Sequence, residues 1–343
     1  MANAYYTCNL VPLGLLTRNG YAARWLGDAV DQNQAPQRRE ALSVHPMTCP
    51  FVTRLIAAGD LLLSEAPPGD RLVVPSGCDA MRRAGDLLSA TYPGRVFVLP
   101  MPRANDRLAV KRMAEDLRLL DAWLADRVDG EASPPAAPPA RPEPPDDVAA
   151  KSPTVDYPSP LQKGGVFVVA GPLSDDSLLR LVEELGATVS GLESCTSPDR
   201  WRPLAELGAP APKEPGDPVA TGPSSELDLL GVAEQLLTVG MCPRRSNLPR
   251  REHLARRLDE AAPSSIIYAR QSFCDPGSYD ALTVAELADE RGLPFLDIEV
   301  GFPFESNGPL RTRVEAFLEA QMLGDDLLDD LFGTESDDLS EED

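Results

Sequence analysis

The sequence predicts an α/β protein made of two similar doubly wound units, and three observations carry that prediction. First, an apolar β-like run (Arg71–Pro75; Ser265–Ala269) twice leads into Ser-Gly-Cys78-Asp79 or Ser-Phe-Cys274-Asp275, then a helical pattern, then a second apolar run (Arg95–Leu99; Leu293–Ile298). Second, the six cysteines divide into Cys8, Cys49 and Cys78 in one half and Cys195, Cys242 and Cys274 in the other, at nearly equal spacing. Third, a stretch of a different composition separates the halves, since residues 131–160 hold ten prolines and almost no large apolar side chains. Such a stretch buries too little surface to offset its ordering entropy and reads as an extended linker.

The elements follow in order. A Cys8 turn leads to a helical segment from Pro12 to Asn19, which Gly20 can end, and Tyr21–Leu26 reads as a strand. The His45-Pro-Met-Thr-Cys49-Pro50 loop opens a helix, because proline suits a first helical turn. From Ala109 to Val128, Leu, Met and Trp recur at helical spacing and close the first unit. Gly165–Ala170 is a continuous apolar strand of the parallel, buried type. Ser174 or Asp175 can cap a helix running to Leu185, Gly186 ends it, and Ala187–Ser190 is the strand that delivers Cys195. Residues 210–225 form a polar loop, followed by helix, Cys242 turn, helix, strand and Cys274. Residues 324–343 contain ten Asp or Glu and no base, which predicts a solvated tail. The expected organisation is therefore a domain over 1–130, a linker over 131–162, a second domain over 163–323 and an acidic disordered tail over 324–343.

Bulk properties narrow the function. The chain has 343 residues and a net charge of −22, which argues against nucleic acid as a partner. The N-terminus shows no basic region followed by an apolar one, and no apolar run is long enough to span a bilayer. A cytoplasmic protein without a membrane partner is expected, and in that compartment disulfides are the less common use of six cysteines.

The thiols themselves leave several uses open. A buried cysteine often serves as a small hydrophobe, but here Pro, Gly, Asp and Arg flank the sulfurs. Structural zinc usually shows close Cys-x-x-Cys pairs, and none occurs. With His45 and His253 the only histidines, a His-rich metal site or a His-based triad is poorly supported. Three separated thiols per half, expected at strand ends, suit iron–sulfur ligation. Asp79 and Asp275 can cap the helices that follow or act on the site as hydrogen-bond acceptors. Arg82, Arg83, Arg311 and Arg313 can bind an anion, offset cluster charge or form ordinary ion pairs. No phosphate-binding Gly-x-x-x-x-Gly-Lys-Ser/Thr loop is present.

His45-Pro-Met-Thr-Cys49-Pro-Phe, Val74-Pro-Ser-Gly-Cys78-Asp-Ala-Met-Arg82 and Gln271-Ser-Phe-Cys274-Asp-Pro together resemble the 2-hydroxyacyl-CoA dehydratase and benzoyl-CoA reductase superfamily. Gly292–Glu299 and Gly308–Leu318 are similar to its closing segments, in the right order. The resemblance implies one [4Fe–4S] cluster on Cys49, Cys78 and Cys274, as in dehydratase subunits. The Tyr5-Tyr-Thr-Cys8-Asn-Leu-Val-Pro12 start, with Cys195 and Cys242, resembles the double-cubane cluster proteins, and implies an [8Fe–9S] double cubane on all six cysteines. Leu13-Gly14 stand where the family usually has an acidic residue, and the proline-rich linker replaces its inter-domain helical segment, so weak or absent acyl-CoA binding is the expectation.

What the resemblance implies is two flavodoxin-like domains gripping an iron–sulfur cofactor. The activity would be that of an oxidoreductase, taking low-potential electrons from an ATP-dependent activator with its own cluster and reducing a small substrate. The chain would work as a homodimer or as a heterodimer with a paralogous subunit. The alternatives are a radical 2-hydroxyacyl-CoA dehydratase subunit (a lyase) and a non-catalytic iron–sulfur carrier.

Overall fold

The computed structural model describes residues 2–8, 10–28, 44–126, 164–195, 228–239, 242–244 and 247–332. The first half comprises β1 (Asn3–Tyr6), α1 (Leu13–Arg18), β2 (Ala22–Trp25), α2 (Pro50–Glu65), β3 (Arg71–Pro75), α3 (Asp79–Thr91), β4 (Val96–Leu99) and α4 (Arg107–Ala125). The second half comprises β5 (Val166–Ala170), α5 (Ser177–Glu184), β6 (Val189–Ser194), α6 (Leu229–Val239), α7 (Asn247–Ala261), β7 (Ser265–Gln271), α8 (Asp275–Asp289), β8 (Phe295–Val300) and α9 (Gly308–Phe332). The strands form two four-stranded sheets of order β2-β1-β3-β4 and β6-β5-β7-β8, with every pairing parallel. The protein is thus α/β, with two sheets of the same doubly wound order.

Local chemistry accounts for the elements. β3 and β5 are buried at every residue, as runs of Val, Leu and Phe demand in a parallel sheet covered on both faces. Proline opens α2 at its first turn, where a missing N–H costs nothing. Gly20, at φ 79°, ends α1 with its N–H on the Thr17 carbonyl, and Gly186, at φ 89°, ends α5. The Asp106 carboxylate caps α4 through the Ala109 N–H at 2.8 Å. Asp175 accepts from the Ser177 N–H at 2.8 Å, one of the two capping residues expected there, although the residue at the cap position itself is Asp176.

In the second sheet, alternate residues of β5 serve opposite faces. Val166, Val168 and Ala170 pack with residues of α5 and α9, while Phe167 and Val169 pack with residues of α7 and α8. Helix α6 behaves differently. Its Leu229, Val232, Ala233, Leu236 and Leu237 follow the spacing of one helical face, and that face joins the core of the first half by packing on α4. A helix encoded beyond β5 and β6 therefore completes the first unit.

Helix α9 continues to Phe332, into the stretch expected to be disordered. The proline-rich linker (131–162), the 210–225 loop and residues 333–343 lie outside the described residues. No described helix is long and apolar enough to cross a membrane.

Candidate metal centre

All strands of each sheet run the same way, so their carboxyl ends and the N-termini of the following helices share one edge. In the order 2-1-3-4 the ligand position lies where the chain reverses direction, between the first and third strands. Cys8 follows β1 and Cys78 follows β3, one on each side of that point. In the second sheet Cys274 follows β7, the counterpart of β3. Cys49 and Cys242 lie in the loops ahead of α2 and of α7, not at strand ends as expected, because each belongs to the connection that leads into a third strand. The first thiols of the two halves leave different strands, with Cys195 after the strand expected to deliver it. Cys8 leaves the first strand of its sheet, whereas Cys195 leaves the second, β6.

A backbone donor bonds the Cys78 sulfur, and backbone N–H groups act to lower the pKa of Cys8, Cys49 and Cys274. Cys78 occupies the cap position of α3, where its sulfur accepts from Met81 N–H at 3.5 Å, and the Ala80 N–H also reaches it. Cys49 stands at the cap position of α2 without a capping hydrogen bond, and the N–H groups of Phe51 and Val52 help to lower its pKa. Cys274 stands at the cap position of α8 without a capping hydrogen bond, and the nearby Gly277 N–H works against the rise of its thiol pKa. A Cβ at Gly277 would come within 3.3 Å of that sulfur, so glycine leaves it room. Cys8 receives the Leu10 N–H. Helix N-termini and unshared N–H groups favour a thiolate. Phe273, just before Cys274, takes left-handed backbone at φ 56°, a conformation that costs a bulky side chain about 1–3 kcal/mol. That residue turns the chain sharply between β7 and α8.

The thiols act on one another electrostatically in two sets, each drawn from both halves of the chain. Cys274 donates its S–H to Cys49, and Cys78 lies within electrostatic reach of both. Cys8 lies within reach of Cys195 and Cys242. Cys78 also feels Cys242, which links the groups. Accepting the Cys274 proton lowers the Cys49 pKa, and donating it, together with burial, raises that of Cys274. Burial pushes the Cys8 thiol up to about 12 and the Cys78 thiol up to about 11. Among the described residues, no three His, Cys, Asp or Glu side chains form a group that could hold a metal ion.

Other expected residues lie away from the sulfurs or have different partners. Asp79 follows the cap position that Cys78 takes, and its exposed carboxylate stands 4.0 Å from Arg83. Asp275 likewise follows Cys274 and is exposed, but its charge contributes to raising the Cys274 pKa. Arg83 also pairs with Asp86, Arg311 with Glu184, and Arg313 donates to the Asp297 carbonyl, while Arg82 is exposed.

Sequence reading missed two buried arginines. Arg250 on α7 donates Nε and one terminal nitrogen to both Asp280 oxygens (3.0 and 2.9 Å) and the other to Glu193 at 2.8 Å. The Tyr268 hydroxyl donates to Asp280 at 3.1 Å, and His253 Nε2 lies 3.1 Å from Glu193. This network ties together β6, which delivers Cys195, β7 and α8, which flank Cys274, and α7, which follows Cys242. Burial alone would lower the Arg250 pKa, but Asp280 and Glu193 override it and raise the value. Arg244, two residues after Cys242, crosses to the first unit and donates to the carbonyls of Met101 (3.1 Å) and Pro102 (3.0 Å). Its position beside a cysteine was a usable signal; nothing local marks Arg250, because its partners are 30 and 57 residues away.

Fold and site together define a two-sheet α/β protein in which thiols of the two halves lie within electrostatic reach of one another. Residues 165–320 match the family model of the 2-hydroxyglutaryl-CoA dehydratase D-component. The match runs from the start of β5 into α9 and includes Cys195, Cys242 and Cys274. No curated protein matches the chain.

Proposed function

We propose that the chain is a dehydratase- or reductase-type iron–sulfur subunit of the 2-hydroxyacyl-CoA dehydratase superfamily, holding a double-cubane cofactor on its six cysteines. The observation that supports this reading is the electrostatic influence of the thiols on one another in two sets of three, each with members from both halves. The donor set fits: soft sulfur ligands, several already facing backbone N–H groups that would stabilise them as thiolates. Cys49, Cys78 and Cys274 would hold one cubane and Cys8, Cys195 and Cys242 the other. When bound, such a group supplies single electrons at low potential, down to about −700 mV for iron–sulfur clusters generally. The chain's own contribution is to orient the thiolates through helix N-termini. No P-loop occurs in the sequence, so the ATP-driven step belongs to a separate activator docking on a homodimer or heterodimer of such subunits.

Metal analysis of anaerobically purified protein tests this. About eight irons per chain with acid-labile sulfide is the expected result, and about four would indicate a single cubane. Stoichiometric zinc without sulfide overturns the reading. Turnover should require activator, ATP and reductant together; full turnover with dithionite alone would remove the ATP-gated partner.

A second reading, a radical 2-hydroxyacyl-CoA dehydratase subunit, draws on the family match over residues 165–320. Titrating the reduced protein with 2-hydroxyacyl-CoA and enoyl-CoA esters, followed by electron paramagnetic resonance, separates the two. A saturable change at micromolar ester favours the dehydratase. No response to esters, with no activated turnover of any small substrate, favours an iron–sulfur carrier.

A further inference from the structure

Arg244 is a buried cation placed where the two thiol groups meet. Its side chain is only 9% exposed, and its terminal nitrogens are spent on the Met101 and Pro102 carbonyls. Its Nε is buried with no hydrogen-bond partner among the described residues. A buried donor left unpaired carries a desolvation penalty, which an acceptor placed beside it would relieve. That Nε lies beside the Ser76-Gly77-Cys78 turn, since a Cβ placed on Gly77 would lie 3.7 Å from it. The guanidinium is within electrostatic reach of Cys242 and Cys8 from one group and of Cys78 from the other, with the exposed Arg103 as the other cation nearby.

We infer that Arg244 is a potential-setting residue, its Nε–H donating to a sulfur of the bound cluster and its fixed charge stabilising the reduced state. The inference rests on the iron–sulfur reading above. Reduction adds negative charge between the two groups, and a buried guanidinium opposes that charge more strongly than a hydrated one would, because little water screens it. Arginine remains protonated across the accessible pH range, so this contribution does not switch with pH. Neither asparagine nor a neutral amide supplies both the donor and the charge.

The test is potentiometric titration, monitored by electron paramagnetic resonance, of wild-type protein and of Arg244→Gln and Arg244→Lys, with iron and sulfide measured in the same samples. Arg244→Gln should keep its iron and become harder to reduce, by at least tenfold in the oxidised-to-reduced ratio at a set potential. That is about 59 mV for one electron. Arg244→Lys, which keeps the charge but loses the planar Nε–H, should fall between the two. Unchanged potentials in both iron-replete variants overturn the inference while leaving the cluster reading intact. Wild-type protein lacking iron and sulfide overturns the cluster reading first, and this inference with it. If Arg244→Gln does not fold, the lysine variant decides alone, a wild-type potential counting against. Loss of iron from both folded variants would make Arg244 a residue for assembling the site and also overturn the tuning role.

Discussion

The two halves share a strand order but furnish their first thiols from different places, and the difference shows how one fold can be fitted to another. In the first sheet Cys8 leaves β1 directly at the point of chain reversal. In the second, the matching loop after β5 is Gly171-Pro172 and carries no cysteine. There the Gln271 side chain occupies the space a Cβ on Gly171 would need, and its amide donates to the Pro172 carbonyl at 3.0 Å. The thiol comes instead from β6, whose Ser194 hydroxyl donates to the Gly171 carbonyl at 2.7 Å and fastens the Cys195 turn to the reversal point. Polar stabilisation differs as well. The first half satisfies an arginine with carbonyls, Arg95 bonding those of Leu63, Ala66, Pro67 and Asp70 around the end of α2. The second buries a charged network around Arg250. The halves are joined where each lends something to the other: α6 completes the first core, and Phe302 packs edge-on against Phe51 at 5.0 Å, two residues from Cys49.

The sharpest way to break the comparison is to replace the cysteines one at a time. Cys274→Ser and Cys78→Ser, at equivalent positions, should each lose about half of the iron or more. Cys8→Ser and Cys195→Ser should lose less, because they leave the Cys49, Cys78 and Cys274 group whole. Equal and complete loss from all four would show that the groups do not act separately.

Next in size is Arg250→Met, which leaves Asp280 and Glu193 buried without their cation. A destabilisation of about 3–5 kcal/mol is expected in urea unfolding. Arg95→Met, by contrast, strips neutral carbonyls and should cost less than that. If the two cost the same, the ionic character of the second half is energetically irrelevant.

Leu236→Ala tests the loan of α6. Leu236 is fully buried in the first core, so a cost of about 2–5 kcal/mol is expected from the cavity alone. Because α6 leads to Cys242, iron held by the Cys8 group should fall before iron held by the Cys49 group, an order visible in partial chelation. Loss in the reverse order would separate α6 from the site.

The smallest effect is expected from removing residues 333–343, which contain no cysteine. Iron content should be unchanged, and a loss of iron would give the acidic end a part in the site.

Much of this architecture was legible in the sequence because it is written in short-range chemistry. Continuous Val, Ile and Leu runs mark buried parallel strands, Pro50 and Gly20 mark a helix start and a helix end, and Cys78 and Cys274 repeat in one local frame. The grouping of the thiols was legible only through family resemblance. It depends on contacts such as Cys49 to Cys274, spanning most of the chain, for which no periodicity exists. The same reason hid the transfer of α6 to the first unit. Its apolar face announces that it must be buried, but an apolar face is complementary to any core of the right shape. Likewise Arg250 and Arg244 look like surface bases in the sequence. Their burial follows from carboxylates and carbonyls that only the assembled sheets bring within 3 Å or so. Composition and pattern determined that this chain would build two doubly wound sheets with six free thiols. Which thiol meets which, and which cation lies between them, was decided by tertiary packing, because charge pairing and sulfur contacts are selected by distance in space and leave no trace in local order.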